Sequence, residues 1–131
     1  MEAKRCDLFK MYAEKVIDFL LDETHNTEYT YVIQLDSDNS CSEMSADCVY
    51  LRFKILLNKA MRANFDNNYA YPILDTLTRA IAHLYTDPLF EVMDDRLINP
   101  NTKMVFDIKE RQVQRIAALL YRLIPERLKK L

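Results

Sequence analysis

The sequence predicts a mainly α chain, a compact helical bundle of about four to five helices, and three observations carry that prediction. Glycine is absent from all 131 residues, where average usage of about 7% would supply roughly nine. Apolar residues recur at three- and four-residue intervals through most of the chain, and Asn and Pro mark the breaks between those runs. Glycine lets a chain take positive φ in a tight hairpin without steric cost, so its absence disfavours sheet-rich topologies. Asn is the next best residue at a left-handed helix end, and Asn26, Asn64, Asn67, Asn68, Asn99 and Asn101 stand near the expected breaks.

The first helix is expected over residues 4–22, with Leu8, Phe9, Tyr12, Val16, Phe19 and Leu20 on one face and Met11, Ile17 and Leu21 widening it. Residues 28–35 alternate Tyr29, Tyr31, Ile33 and Leu35 with polar or β-branched neighbours, which is strand chemistry. The one available partner is 48–55, where Val49, Leu51, Phe53 and Ile55 also alternate, so a minor β-hairpin from 28–35 and 48–55 is an option. The second segment reads equally as a helix capped by Ser42 or Ser45 and running to Ala63, with Val49, Phe53, Leu56, Leu57 and Ala60 on its face. The helix is the preferred reading. Between the two segments lies an acidic loop at about 36–46, whose stretch 36–43 has no apolar anchor.

After Asp66-Asn67-Asn68, Pro72 suits a first helical turn, and Ile73, Leu74, Leu77, Ile81, Leu84 and Tyr85 carry the period to Thr86. Asp87 and Pro88 read as cap and first residue of a new short helix, stopped by Asn99-Pro100-Asn101. Asp107 and Glu110 have capping-box spacing for a last helix to Ile124, with a stripe of Val113, Ile116, Ala117, Leu120, Leu123 and Ile124. Pro125 then opens one further turn. Half of the residues are apolar, enough for a packed interior, and no linker or repeat divides the chain, so 1–131 is expected to be one helical domain with an acidic loop at about 36–46.

The formal charge of −2 provides no global field for nucleic acid. Locally the charge is polarised: residues 22–47 hold seven acidic residues and no Lys or Arg, whereas 103–131 hold eight basic residues against Asp107, Glu110 and Glu126. Three cysteines, Cys6, Cys41 and Cys48, are too few for a disulfide framework, and no secretory signal precedes them, so the expected setting is intracellular, cytoplasmic or nuclear. Charges interrupt every apolar run, which excludes a membrane-spanning helix.

Without glycine there is no Walker loop, dinucleotide fingerprint or Gly-x-Ser-x-Gly elbow. His25 and His83 are isolated, no Cys-x-x-Cys occurs, and no catalytic, metal or cofactor site is expected. Adjacent Asp94 and Asp95 do not face each other on a helix and read as surface charge. Ser40, three residues before Glu43, has the spacing an acid-directed kinase uses, and phosphate there would add to the acidic loop.

Eight tyrosines and six methionines supply residue types favoured at interfaces. Tyr69, Tyr71 and Tyr85, with Arg111, Arg115 and Arg122 opposite the last helix's stripe, are the candidate contact residues. The resulting expectation is a non-enzymatic protein-interaction module, an adaptor or subunit of a larger assembly with a protein partner or a second copy of itself. Its compact, motif-poor character also suits a regulatory or host-directed viral protein. Two alternatives stay open: a helical enzyme, or a regulator of one, with a site assembled from distant residues, and a nucleic-acid accessory factor using the C-terminal basic face.

Overall fold

A computed structural model describes the backbone of residues 7–47, 50–96 and 102–130, and the side chains of these except 87–96 and 102–106. The chain runs α1 (Leu8–Glu23), β1 (Thr30–Ser37), β2 (Glu43–Asp47), β3 (Arg52–Asn58), α2 (Lys59–Asp66), α3 (Tyr71–Arg96), α4 (Thr102–Leu123) and α5 (Glu126–Lys129). Helices dominate, but the expected helical bundle is corrected: three strands form one mixed sheet in the order β1-β3-β2.

The sheet overturns three expectations together. The two alternating segments do pair, but in parallel, with Thr30 opposite Arg52 and Ile33 opposite Ile55, so they are not a hairpin. Parallel strands need a long crossover, and the supposed acidic loop supplies it while contributing β2, which runs antiparallel to β3 on its other side. The expected helix into Ala63 begins only at Lys59. Residues 52–58 fit both periods, and burial decides for the strand: Phe53, Ile55 and Leu57 enter the core while Arg52 and Lys54 face solvent.

α1 starts one residue after Asp7, whose Oδ1 accepts from the Phe9 and Lys10 N–H groups at 3.0 and 3.4 Å. Its buried face is Phe9, Tyr12, Ala13, Val16, Ile17, Leu20 and Leu21, whereas Leu8 and Met11 are exposed. The helix ends in a Schellman motif. His25 takes φ 58°, its N–H donates to the Asp22 carbonyl at 3.2 Å, and the Asn26 N–H donates to Leu21 at 2.8 Å. α2 ends in the same way, with Asn68 at φ 57° and the Asn68 and Tyr69 N–H groups returning to Phe65 and Asn64. Of the asparagines expected to replace glycine, Asn68 does so; Asn99 and Asn101 lie outside the described residues, among which His25, Asp36 and Leu51 hold the other positive-φ positions.

α3 continues through Pro88, so the expected restart at Asp87 is also corrected. Thr86 lies inside the helix, where its hydroxyl donates to the Ala82 carbonyl at 3.5 Å. Proline removes one backbone bond and crowds the carbonyl four residues back, and burial of Ile73, Leu74, Leu77, Ala80, Ile81 and Leu84 along the same helix offsets that cost. The expected stop at 99–101 lies outside the described residues. α4 begins at Thr102, which places Asp107 and Glu110 inside the helix and removes the capping box. Val113, Ala117, Leu120 and Ile124 of the expected stripe are buried, while Leu123 is exposed.

One core joins α1, the inner sheet face, α3 and the residues Leu120, Ile124 and Leu128 of the C-terminal segment. Ala82, Val113 and Ala117 form a smaller cluster between α3 and α4. The Tyr12 hydroxyl donates to the Leu128 carbonyl, fastening α5 to α1, and burial pushes that hydroxyl up to about pKa 12. The opposite sheet face, with Thr30, Val32, Gln34, Ser45, Arg52 and Lys54, lies open to solvent.

Candidate functional site

A cleft of about 500 Å³ opens between the β2 side of the sheet and α3. Its position follows from the strand pattern. Met44 and Ala46 pair with Ile55 and Phe53 and therefore share the inner face of the sheet. Ile55 and Phe53 are buried, but Met44 is only half-buried and Ala46 is exposed. The inner face of β2 overhangs an open space. Met44, Ile55, Ala60, Met61 and Ala80 give the cleft its apolar lining.

On the helix side, Asp75, Arg79 and His83 follow one another at i, i+4 and i+8, so α3 presents all three along one face to the cleft. Arg79 Nε donates to Asp75 Oδ2 at 3.1 Å. The same pair borders a second recess of about 330 Å³ between α3 and α4, lined also by Tyr71, Gln114, Tyr121 and Arg122.

The opposite rim is residues 40–43, held by Asn58. This residue is 5% exposed. Its Nδ2 donates to the carbonyls of Asn39 and Ser40 at 3.3 and 3.2 Å, its backbone N–H donates to Ser42 Oγ at 3.3 Å, and its Oδ1 caps α2 through the Met61 N–H at 3.1 Å. Lys59 adds an exposed ion pair to Asp38 at 2.7 Å, which lowers the pKa of that carboxyl. The rim is thus built into the strand-to-helix junction.

A second polar cluster braces the scaffold behind the cleft. Arg62 on α2 donates from Nη2 to Asp7 Oδ2 and from Nε to Asp36 Oδ1, both at 2.6 Å, with its guanidinium carbon 5.5 Å from the Phe9 ring centroid. The hydrogen bond from Arg62 holds the Asp7 carboxyl below its ordinary range. Asp36 reaches the cation from a bulge in β1, at φ 60°. The Tyr31 hydroxyl, also on β1, donates to Asp18 Oδ1 at 2.6 Å; burial first, and that carboxylate second, raise its pKa above the ordinary tyrosine value.

The sequence-derived candidates are distributed over several surfaces. Ser40 is exposed on the cleft rim beside exposed Cys41, while Cys6 and Cys48 lie outside the described residues. Tyr71 stands edge-on to Tyr121, with centroids 5.5 Å apart, and shares the α3–α4 recess with Arg122. Tyr69 is exposed beyond α2, and Tyr85 donates to the Thr24 carbonyl at 2.8 Å on another side of the fold. Arg111, Arg115 and Arg122 are exposed along one stripe of α4, and Arg122 borders the α3–α4 recess. His83 lines the cleft; His25 sits at the end of α1. Among the described residues no three His, Cys, Asp or Glu side chains gather as for a metal ion, and no helix is long and apolar enough to cross a membrane.

Sequence reasoning missed Met44, Asn58, Met61 and Arg79. Their common property is that they line the cleft formed with β2, and β2 has no signature of its own. Comparison with protein-family models, curated proteins and solved structures finds no match.

Proposed function

We propose that this chain is a protein-interaction module, an adaptor or assembly subunit without catalytic activity of its own, and that a segment of a partner docks in the cleft between β2 and α3. The observation that carries this reading is the half-buried inner-face Met44 over an apolar lining of Ile55, Met61 and Ala80. Methionine side chains adapt to different neighbours, which suits a surface that receives another chain. Three of the site's polar residues are engaged with the protein itself: Asp75 with Arg79, and Asn58 with the rim. Such an arrangement supports holding a segment better than moving a proton. The exposed Cys41 thiol fits a reducing cytoplasmic or nuclear setting.

The test is to pan a display library of random twelve-residue peptides on the folded chain and on Ala60→Trp, which places a large ring at an exposed position of the cleft wall. Peptides that bind the parent at micromolar strength and lose at least tenfold in affinity on Ala60→Trp support the reading. Failure to select any peptide, or equal binding to both proteins, refutes docking in the cleft.

A further inference from the structure

We propose that the occupant of the cleft binds by strand addition, as an extended lysine- or arginine-bearing peptide segment that pairs with the free edge of β2; this rests on the docking reading above and specifies its mode and partner chemistry. The direction of the backbone groups follows from one hydrogen bond. The Thr30 N–H donates to the Leu51 carbonyl at 3.0 Å while Thr30 stands opposite Arg52. In a parallel pair this means that Leu51, Phe53 and Ile55 turn their N–H and C=O groups towards β1, and Arg52, Lys54 and Leu56 turn theirs towards β2. The residues opposite these, Asp47, Ser45 and Glu43, exchange both bonds with β3. Met44 and Ala46 therefore aim their N–H and C=O groups outward, with no strand beside them among the described residues.

Of the two, Met44 lines the cleft, and Ala46 lies exposed on the same face of the sheet. A strand laid about 4.8 Å beyond β2 would satisfy the outward groups and drop alternate side chains into the space beneath. The other sheet edge is built differently. Beneath β1, Ile33 is 4% exposed and Tyr31 is tied to α1 through Glu14 and Asp18, so inward side chains of a strand added there would meet a helix instead of a cleft.

Charge selects the partner. β2 carries Glu43 and Asp47 and no cation; β3 sets Arg52 opposite Asp47 but Leu56 opposite Glu43, so Glu43 is the β2 carboxylate with no cation across the ladder. Two copies of β2 paired antiparallel about Ser45 would set Glu43 against Asp47 twice, which disfavours self-pairing. A partner strand with basic residues on its solvent face is complementary instead.

The probes are two capped decapeptides, one alternating lysine with valine and one alternating glutamate with valine, titrated into the folded chain with affinity read by fluorescence anisotropy. The lysine peptide is expected to bind at least tenfold more tightly than the glutamate peptide and to weaken as salt rises. Ala46→Pro removes an outward N–H and leaves the β2–β3 ladder intact, and it should reduce binding at least tenfold. N-methylation of alternate residues in the peptide tests the same bonds without altering the protein, and on binding the Met44 and Ala46 amides should become protected from hydrogen exchange. Absent or charge-independent peptide binding would overturn the basic-strand inference. Binding that is blocked by Ala60→Trp but indifferent to Ala46→Pro and to N-methylation would overturn strand addition while leaving docking in the cleft intact.

Discussion

Replacing His25 by glycine should stabilise this protein, although it deletes a side chain and adds backbone freedom. His25 occupies the left-handed position of the α1 Schellman motif at φ 58°, with its own N–H bonded to Asp22 and the next one to Leu21. Left-handed backbone costs an L-residue other than glycine roughly 1–2 kcal/mol, because Cβ crowds the following carbonyl. Glycine removes that cost but gives the unfolded chain extra entropy, worth about 0.4–1 kcal/mol against folding. The exposed imidazole has no buried contact to lose. The net is a gain of about 0.5–1 kcal/mol, which for a chain of this size moves Tm upward by about 2–4 °C. Thermal unfolding followed by circular dichroism at 222 nm measures it, with Asn26→Gly as the contrast: φ is not positive there, so glycine adds only chain entropy and loses the Nδ2 bond to Thr24 Oγ1, and Tm should fall. A lower Tm for His25→Gly would refute the assignment of strain to this position. Asn68→Gly should gain only a few tenths of a kcal/mol, because asparagine already tolerates the left-handed region.

Arg62→Ala leaves Asp7 and Asp36 without their cation and uncovers Phe9; these partly exposed pairs are individually weak, so a loss of about 1–2 kcal/mol in urea unfolding is expected. Because the folded-state pKa of Asp7 is depressed, its contribution is present above the unfolded carboxyl range and lost as pH falls through the folded value. Arg62→Ala should accordingly flatten the acid limb of the stability profile, and an unchanged limb would separate Asp7 from it. Asn58→Ala removes a helix cap and two bonds to the rim, and should cost about 2–3 kcal/mol while increasing hydrogen exchange in residues 39–42. Pro88→Ala restores an N–H inside a continuous helix and should raise Tm, with about 1–3 kcal/mol regained; a fall would refute a cost of proline at this position. Asp107→Ala should change stability by no more than about 0.5 kcal/mol, whereas loss of a true cap would cost about 0.5–2 kcal/mol.

The helices legible in the sequence are those whose burial is one-sided and local. α1, the first half of α3 and the stripe of Val113, Ala117 and Leu120 all repeat an apolar face within a single segment. β3 was ambiguous because Phe53, Ile55 and Leu57 satisfy a period of two while Phe53, Leu56, Leu57 and Ala60 satisfy a helical one. The choice depends on β1, about twenty residues earlier in sequence, lying alongside in parallel. β2 had no internal signal, since Glu43–Asp47 has one large apolar residue and owes its conformation to β3. The absence of glycine does not bar a sheet, because Asp36 and Leu51 supply positive φ where the strands bulge and turn. The Asp107–Glu110 spacing recurred by chance on a charged helix face. The cleft was illegible for the same reason as β2, because its walls come from a strand, a junction residue and a helix that meet only after the sheet has formed.

The bond from Tyr12 to Leu128 joins residues 116 positions apart. At a ribosomal rate of about 5–20 residues per second, roughly 6–23 s separate the synthesis of the donor from that of its acceptor. Throughout that interval the most apolar helix of the protein exists without Leu120, Ile124 and Leu128, which complete its core. Premature termination before Leu120 would leave a product whose α1 still meets α3 and β1 but lacks its C-terminal cover. Losses of such a chain during expression would then arise while it is being made, before the finished fold has any stability to measure.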